Sequence, residues 1–444
     1  MVDRTTGLTR RQLLTTGVGA LGAAAVGGPL LTGCSPGGGV AGRENLDFWH
    51  LLSGGDGIKM ADLIDSANAA SDVYAVKPTV LAWGAPYYTK LAMASAGGRA
   101  PDLGIMHASR LPGYAPGGLL DPWDEDMLAE VGITADTFPG PIWEKGFSED
   151  SLYSLALDAH PFIMMYNTEI CDQAGVLDSD GQLAEISSPE DFLEVAAAIQ
   201  GVTGVHALSY GYLGDGAQMW RLWYCLYLQQ GAEMVLTGDS AEYDLDAAVT
   251  ALEFMQTLLD DTISARGADY ANAVAEFAGG TDSALFFTGV WELPTMLGAD
   301  IALDAQTIPN LYGTPAAYGD SHAFVLPHQD NPDPEARRAA YQFVGDLLGS
   351  SFRWAEAGHI PAFLPITESA EYEELLPQSH YANAADILNY DPEAWFSGSG
   401  SNFQEYFAEY VQGVLLSGND AASGFEAFMG RVNTLIRQPN PVAG

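Results

Sequence analysis

The chain has 444 residues, with 17 Lys and Arg against 58 Asp and Glu, a formal net charge of −41. Its 48% hydrophobic and 11% aromatic content excludes a disordered acidic chain, because that much apolar surface collapses into a core. So few cations exclude nucleic acid, whose phosphates are held by Lys and Arg, and argue against adhesion to an anionic membrane surface.

The first predicted element is an address over residues 1–33. Thr9, Arg10, Arg11 and Gln12 open a basic segment, and an apolar Gly/Ala-rich run follows from Leu13 to Leu31. The paired arginines match a twin-arginine export signal. The run closes on Leu31-Thr32-Gly33-Cys34 and a Gly/Pro spacer to Gly39. That ending resembles a bacterial lipoprotein signal, which implies cleavage before Cys34 and lipid on its thiol. Residues 34–43 then read as a tether. No other stretch is long and apolar enough to span a bilayer. The protein is therefore expected to be exported and held by lipid on the outer face of the cell membrane.

Leu46–His50 reads as a strand, followed by a glycine-rich turn and a helix from Ile58 to about Ala70. A second strand is predicted over Lys77–Leu81, a helix over Tyr87–Ala96 and a third strand over Pro101–Met106. This alternation argues for an α/β fold with parallel pairing. Ser154–Leu157 and Phe162–Tyr166 read as apolar strands around a loop, Asp158 to Pro161. Helices are predicted from Pro189, over Met219–Gln230 and over Ala247–Asp261, with a strand at Asp282–Phe287. A further strand at Ala323–Pro327 precedes a helix from Pro334 to Leu348, and two helices, Asn402–Leu416 and Ala421–Leu435, close the chain. Cys171 and Cys225 are compatible with two buried thiols or with one disulfide. No Cys/His spacing resembles a zinc site, and no cofactor is implied.

Several blocks, in order, resemble the bacterial extracellular solute-binding proteins of ABC sugar importers, the group that includes maltodextrin-binding proteins. They are Pro101-Asp102-Leu103-Gly104-Ile105 with Gly118-Leu119-Leu120; Tyr153 through Tyr166-Asn167 and Ala174-Gly175; Ala284 through Gly289-Val290-Trp291; and Pro334-Glu335-Ala336 with Gly358-His359-Ile360-Pro361-Ala362. The resemblance spans about residues 44–436. It implies a two-lobe, type II periplasmic-binding-protein-like fold with discontinuous lobes and a hinge. Mapped on this chain, one lobe takes 44–154 plus 318–366, and the other takes 155–317 plus 367–444. It also implies a monomer that carries a carbohydrate ligand in the interlobe cleft and hands it to permease subunits in the membrane.

Sugars offer hydroxyl edges to polar side chains and flat faces to aromatic rings. The resemblance places Trp291 in the cleft as a stacking ring, with Glu292 beside it. Trp395 is assigned either to the cleft or to a lobe core. His50 and Asp56 follow the first strand, at the strand ends where open α/β sheets bind ligands. Asp56 also fits plain turn chemistry in Gly55-Asp56-Gly57. His107 and Arg110 follow strand three. Asp158 and His160 stand as loop polar groups between apolar strands. Asp320 and His322 precede a later strand. Trp220 is a candidate for the cleft, although with Trp223 and Tyr227 it forms a helical core stripe.

Two rival readings remain. A secreted carbohydrate-active enzyme needs a catalytic carboxylate pair, and no G-x-S-x-G or H-E-x-x-H motif supports a hydrolase. A ferric-ion or other small-solute binder on the same fold is raised by Tyr87-Tyr88, which also fits helix packing. The chain lacks G-x-x-x-x-G-K-[ST] and is not itself an ATPase.

Overall fold

Alternate residues of the first strand, β1 (Glu44–His50), are buried: Leu46, Phe48 and His50. That period of two sets one face against the core. Helix α1 (Gly54–Ala70) follows and buries Met60, Leu63 and Ile64, one turn of an apolar stripe. The computed structural model describes residues 42–441. The export signal, Cys34 and most of the tether lie outside the described residues.

The first sheet continues with β2 (Tyr74–Val80), β3 (Leu103–His107), β4 (Leu120–Asp121) and β5 (Ser154–Ala156). The second sheet then takes β6 (Asp158–Asn167), β7 (Leu208–Ser209), β8 (Leu285–Gly289), β9 (Leu303–Thr307) and β10 (Ala317–Asp320). The chain returns to the first sheet as β11 (His322–Pro327), and β12 (Ile360–Pro361) and β13 (Leu388–Asn389) complete the second. Only β1 with β2 and β3 pair in parallel as predicted in the first sheet; β11 runs antiparallel to β3, β4 and β5.

All ten residues of β6 are buried. The loop predicted over Asp158 to Pro161 is therefore corrected to the start of a central strand. Its polar residues are satisfied by groups distant in sequence, so polarity gave a misleading local signal. The strand pairs with β8, β9, β10 and β12.

Helix α2 (Ala85–Ala96) covers the first sheet through Tyr87, Tyr88 and Leu91. Tyr87 and Tyr88 thus pack as helix core, their hydroxyls donating to or contacting Ile105 O and His107 Nδ1. Helix α3 (Gly216–Leu228) is buried along nearly its whole length and packs against α4 (Asn402–Ser417) and α5 (Ala421–Ile436) in the second core. Cys171 and Cys225 are both free and buried, and burial pushes each thiol up to about 12.

A second effect of burial is testable here. Asp391 is 3% exposed and accepts from Tyr318 Oη at 2.9 Å and Gln404 Nε2 at 3.3 Å. Burial first, then the nearby Asp320, pushes its carboxyl up to about 7. A raised acid keeps its proton longer when folded than when unfolded. Its contribution is therefore full at acid pH and is lost as pH rises through about 7. Asp391→Asn, which cannot ionise, is expected to gain on the parent by about 2–3 kcal/mol between pH 5 and pH 8. Urea unfolding at both pH values checks this; a constant gap refutes it.

Candidate functional site

The chain passes between the sheets at Leu157 and again at Ser321. These crossings lie side by side, Leu157 N donating to His322 O at 2.7 Å. A third segment, β12, joins them, with Ala362 N donating to Leu157 O at 3.0 Å.

Asp158 sits where the three meet and is fully buried. Its Oδ1 accepts the His322 backbone N–H at 2.8 Å and lies 3.1 Å from His160 Nδ1. Its Oδ2 accepts Trp354 Nε1–H at 2.7 Å and lies 2.9 Å from Nδ1 of both His322 and His359. Burial alone would raise the Asp158 pKa, but the three surrounding imidazoles outweigh it and hold the group well below the usual carboxylate range. Burial, then His322, lowers His160 to about 3, so its ring is neutral. Burial also lowers His359, yet Asp56 and Asp158 overcome it and raise that ring to about 10. His359 Nε2 lies 3.0 Å from Asp56 Oδ1. Among the described residues, Asp158, His160, His322 and His359 form a donor group whose ligand atoms all lie within 4.8 Å of one another.

Above this hub, between the sheets, is a cavity of about 370 Å³. The first sheet contributes the Leu51–Asp56 segment, His107 and His322; the second contributes His160, Trp291 and Glu292. The rings of His160 and His322 stack at 4.1 Å, with His107 4.9 Å from His322. Across the cavity stands a half-buried indole. Trp291 Nε1 donates to Tyr270 Oη at 2.8 Å, and Tyr270 Oη donates to Glu292 Oε1 at 2.8 Å. Burial raises the Glu292 carboxyl above its ordinary value, and the Tyr270 bond counters it. The Arg221 guanidinium lies 4.5 Å from the Trp291 ring centroid. Its Nη1 donates to Gln218 Oε1 at 3.1 Å, its Nε is buried without a partner, and among the described residues no carboxylate pairs with it. A flat ring, a cation and several polar edges thus converge on one space.

The structure brings Asp56, His107, His160, His322, Trp291 and Glu292 to this cavity, with Asp158 beneath it. His50 is buried at the end of β1 and does not reach the wall; burial, then His322, lowers it to about 4. Four candidates lie elsewhere. Trp220 is corrected to core, being fully buried against Phe403 and Phe407, because the helical stripe faces α4. Asp320 is buried 1% exposed, accepting from Ser109 N at 3.1 Å and from Ser109 Oγ, a structural clamp away from the cavity. Arg110 stacks on Tyr88 at 4.5 Å and donates to Ser397 O. It lines a separate groove, together with Trp395.

Sequence reasoning missed Arg221, Tyr270 and His359. Arg221 had a signal: a lone cation in the otherwise apolar run Met219–Leu228, where a charge needs a partner or a role. His359 had none beyond its place in Gly358-His359-Ile360-Pro361, since its partners lie far off in the chain.

A family model for bacterial extracellular solute-binding proteins matches residues 63–379, well over half of the chain. No curated protein matches the sequence. Solved structures share the fold. The GacH receptor of Streptomyces glaucescens, solved unliganded and with acarbose, aligns at TM-score 0.73 and 14% identity, over 89% of this chain and 99% of that one. An ABC transporter solute-binding protein from Thermotoga lettingae, bound to alpha-D-tagatose, aligns at 0.72 and 16% identity over 88% and 100%. UgpB from Mycobacterium tuberculosis, in complex with glycerophosphocholine, aligns at 0.72 and 16% over 88% and 98%. The expected two-lobe α/β architecture is the one these proteins share.

Proposed function

We propose, because this chain belongs to the bacterial extracellular solute-binding protein family, that it binds a sugar or oligosaccharide between its lobes and delivers it to an ABC permease. The observation that carries this reading is the cavity between the sheets, where the Trp291 ring faces the imidazoles and Arg221. An indole covers the C–H face of a pyranose. Arg221, Asp56 and Gln218 suit hydroxyl edges. A space of about 370 Å³ falls in the range of small-ligand sites. The relatives named above were solved with acarbose, tagatose and glycerophosphocholine, and two of these three are carbohydrates.

The lobes follow the two sheets and hinge at the crossings, Leu157 and Ser321, so the expected boundaries at 154/155 and 317/318 each move by about three residues. Solute that touches both lobes favours the closed form only by its greater affinity for that form. The protein works as a monomer, exported through the twin-arginine signal and anchored by lipid on Cys34. Its role is binding, not catalysis: of the carboxylates at the cavity, Asp56 is engaged by His359 and Glu292 by the Tyr270 hydroxyl. Among the described residues no helix is long and apolar enough to cross a membrane.

The test is a melting-temperature screen of the purified protein against mono-, di- and oligosaccharides, with glycerophosphodiesters as a comparison class. A true solute at 100 times its Kd is expected to add about 2.7 kcal/mol of stability. No shift with any carbohydrate, together with a shift by another solute class, would overturn the sugar assignment.

A further inference from the structure

We propose that Asp158, His160, His322 and His359 form a four-coordinate site for a divalent transition-metal ion of the zinc class, at the point where the three crossing segments meet. The donor set is three imidazole nitrogens and one carboxylate oxygen, which suits zinc. Its spacing fits as well. The Nδ1 atoms of His322 and His359 each lie 2.9 Å from Asp158 Oδ2, and that of His160 lies 3.1 Å from the other oxygen, Oδ1. A tetrahedral zinc with bonds of about 2.0–2.1 Å has ligand–ligand edges of roughly 3.3 Å. The two edges to Oδ2 therefore need to open by only a few tenths of an ångström, and the remaining donor atoms, all within 4.8 Å of one another, draw in around the ion.

A second observation points to a missing occupant. His359 Nδ1 is buried and has no hydrogen-bond partner, because its 2.9 Å approach to Asp158 Oδ2 lies outside hydrogen-bond geometry. The residue is 0% exposed. The two groups face each other as a close pair that falls short of hydrogen-bond geometry, a contact that a metal ion between them would replace with two directed bonds.

The outer shell has the form that metal sites use. A ligating histidine donates its second N–H to a carboxylate, and His359 Nε2 faces Asp56 Oδ1 at 3.0 Å. Trp354 Nε1–H donates to Asp158 Oδ2 at 2.7 Å, fixing the carboxylate. His160 and His322 reach the cavity wall, so an ion has a way in. As it enters, any proton carried by the ligating Nδ1 atoms passes to solvent. Four protein donors leave no open position, which marks a closed, structural site. Its ligands come from three separate stretches of chain, so the ion would tie the crossings together.

The inference does not rest on which solute the cavity takes. Full-length protein is stripped with a chelator, dialysed, exposed to ZnCl₂ or CoCl₂, freed of excess ion and assayed for bound metal. One ion per chain is expected, with the visible absorption of four-coordinate cobalt and a higher melting temperature for the zinc form. His322→Gln and His359→Gln are each expected to weaken uptake at least tenfold, and Asp56→Asn by about 10–100-fold. His206→Gln, at a separate histidine paired with Glu276, is expected to keep parental uptake. Far-UV circular dichroism identifies any variant that fails to fold, and for such a variant the parent's stoichiometry and cobalt spectrum decide. Substoichiometric metal, colourless cobalt protein, or equal uptake by folded variants would overturn the site. The carbohydrate screen is run on stripped and loaded protein alike. Loss of the sugar shift with metal retained overturns the solute reading alone, and loss of metal with the sugar shift retained overturns this one alone.

Discussion

Asp158→Asn is expected to lower the stability of the metal-free protein by about 3–5 kcal/mol, the largest loss of any single substitution considered. The substitution keeps the volume, so no cavity opens. What changes is the electrostatics of a group with no exposure to water. The carboxylate accepts or faces five donors: the His322 N–H, three imidazole Nδ1 atoms and the Trp354 indole N–H. An amide presents one oxygen, and its NH₂ faces donors in turn. His359, held in its charged form by Asp56 and Asp158, loses one of its two counter-charges. Buried donors and a buried cation are then left without partners. Urea unfolding at pH 7 measures the loss through the midpoint, with the slope unchanged. A drop below about 1 kcal/mol would show that the hub relaxes around the amide and is not a keystone of the fold.

Trp291→Ala is expected to weaken solute binding by at least about 30-fold, or roughly 2 kcal/mol. The ring is only partly buried, at the edge of the second core, and far-UV circular dichroism checks that the variant keeps its fold. It takes away the cavity's flat face and exposes Arg221, which now lies against the ring at 4.5 Å. Gly289→Ala offers an independent route to the same end. A Cβ at Gly289 would fall 1.9 Å from the indole, so the ring must swing out of place. Titration calorimetry with the solute found by the thermal screen compares both variants with the parent. Parental affinity in Trp291→Ala removes the indole from the binding site. Parental affinity in Gly289→Ala with an altered tryptophan spectrum would show that the ring binds equally well from a second position.

Much of the fold was readable because its periodicities are local. The strand at Leu46–His50, and the helix that opens at Pro189, each need only a few neighbouring residues. The same holds for α3, α4 and α5, whose ends fall within a few residues of the predicted ones. The start of β6 was not readable, because its polar side chains look like a loop until their partners at positions 322, 354 and 359 are known. The site divides in the same way. His160, His322 and Trp291 were legible as polar or aromatic residues beside strand ends. Arg221 was overlooked in favour of its neighbour Trp220, although a lone guanidinium in an apolar helix was the stronger signal. Arg110 and Trp395 came together, but at another groove, since sequence order does not say which face of a strand-end turn a side chain takes.

The meeting of three strand passages at Asp158 has a mechanical consequence. In the proposed hinge motion the lobes would pivot near that point, so atoms beside it would travel least. A solute resting on His160 and His322 would then sit at the fulcrum, while Trp83 and Gly54, which also line the cavity, would ride farther from it. Such a motion would separate grip at the floor from discrimination at the rim. Rim substitutions should alter how far the jaws swing, leaving the foothold at the bottom unchanged.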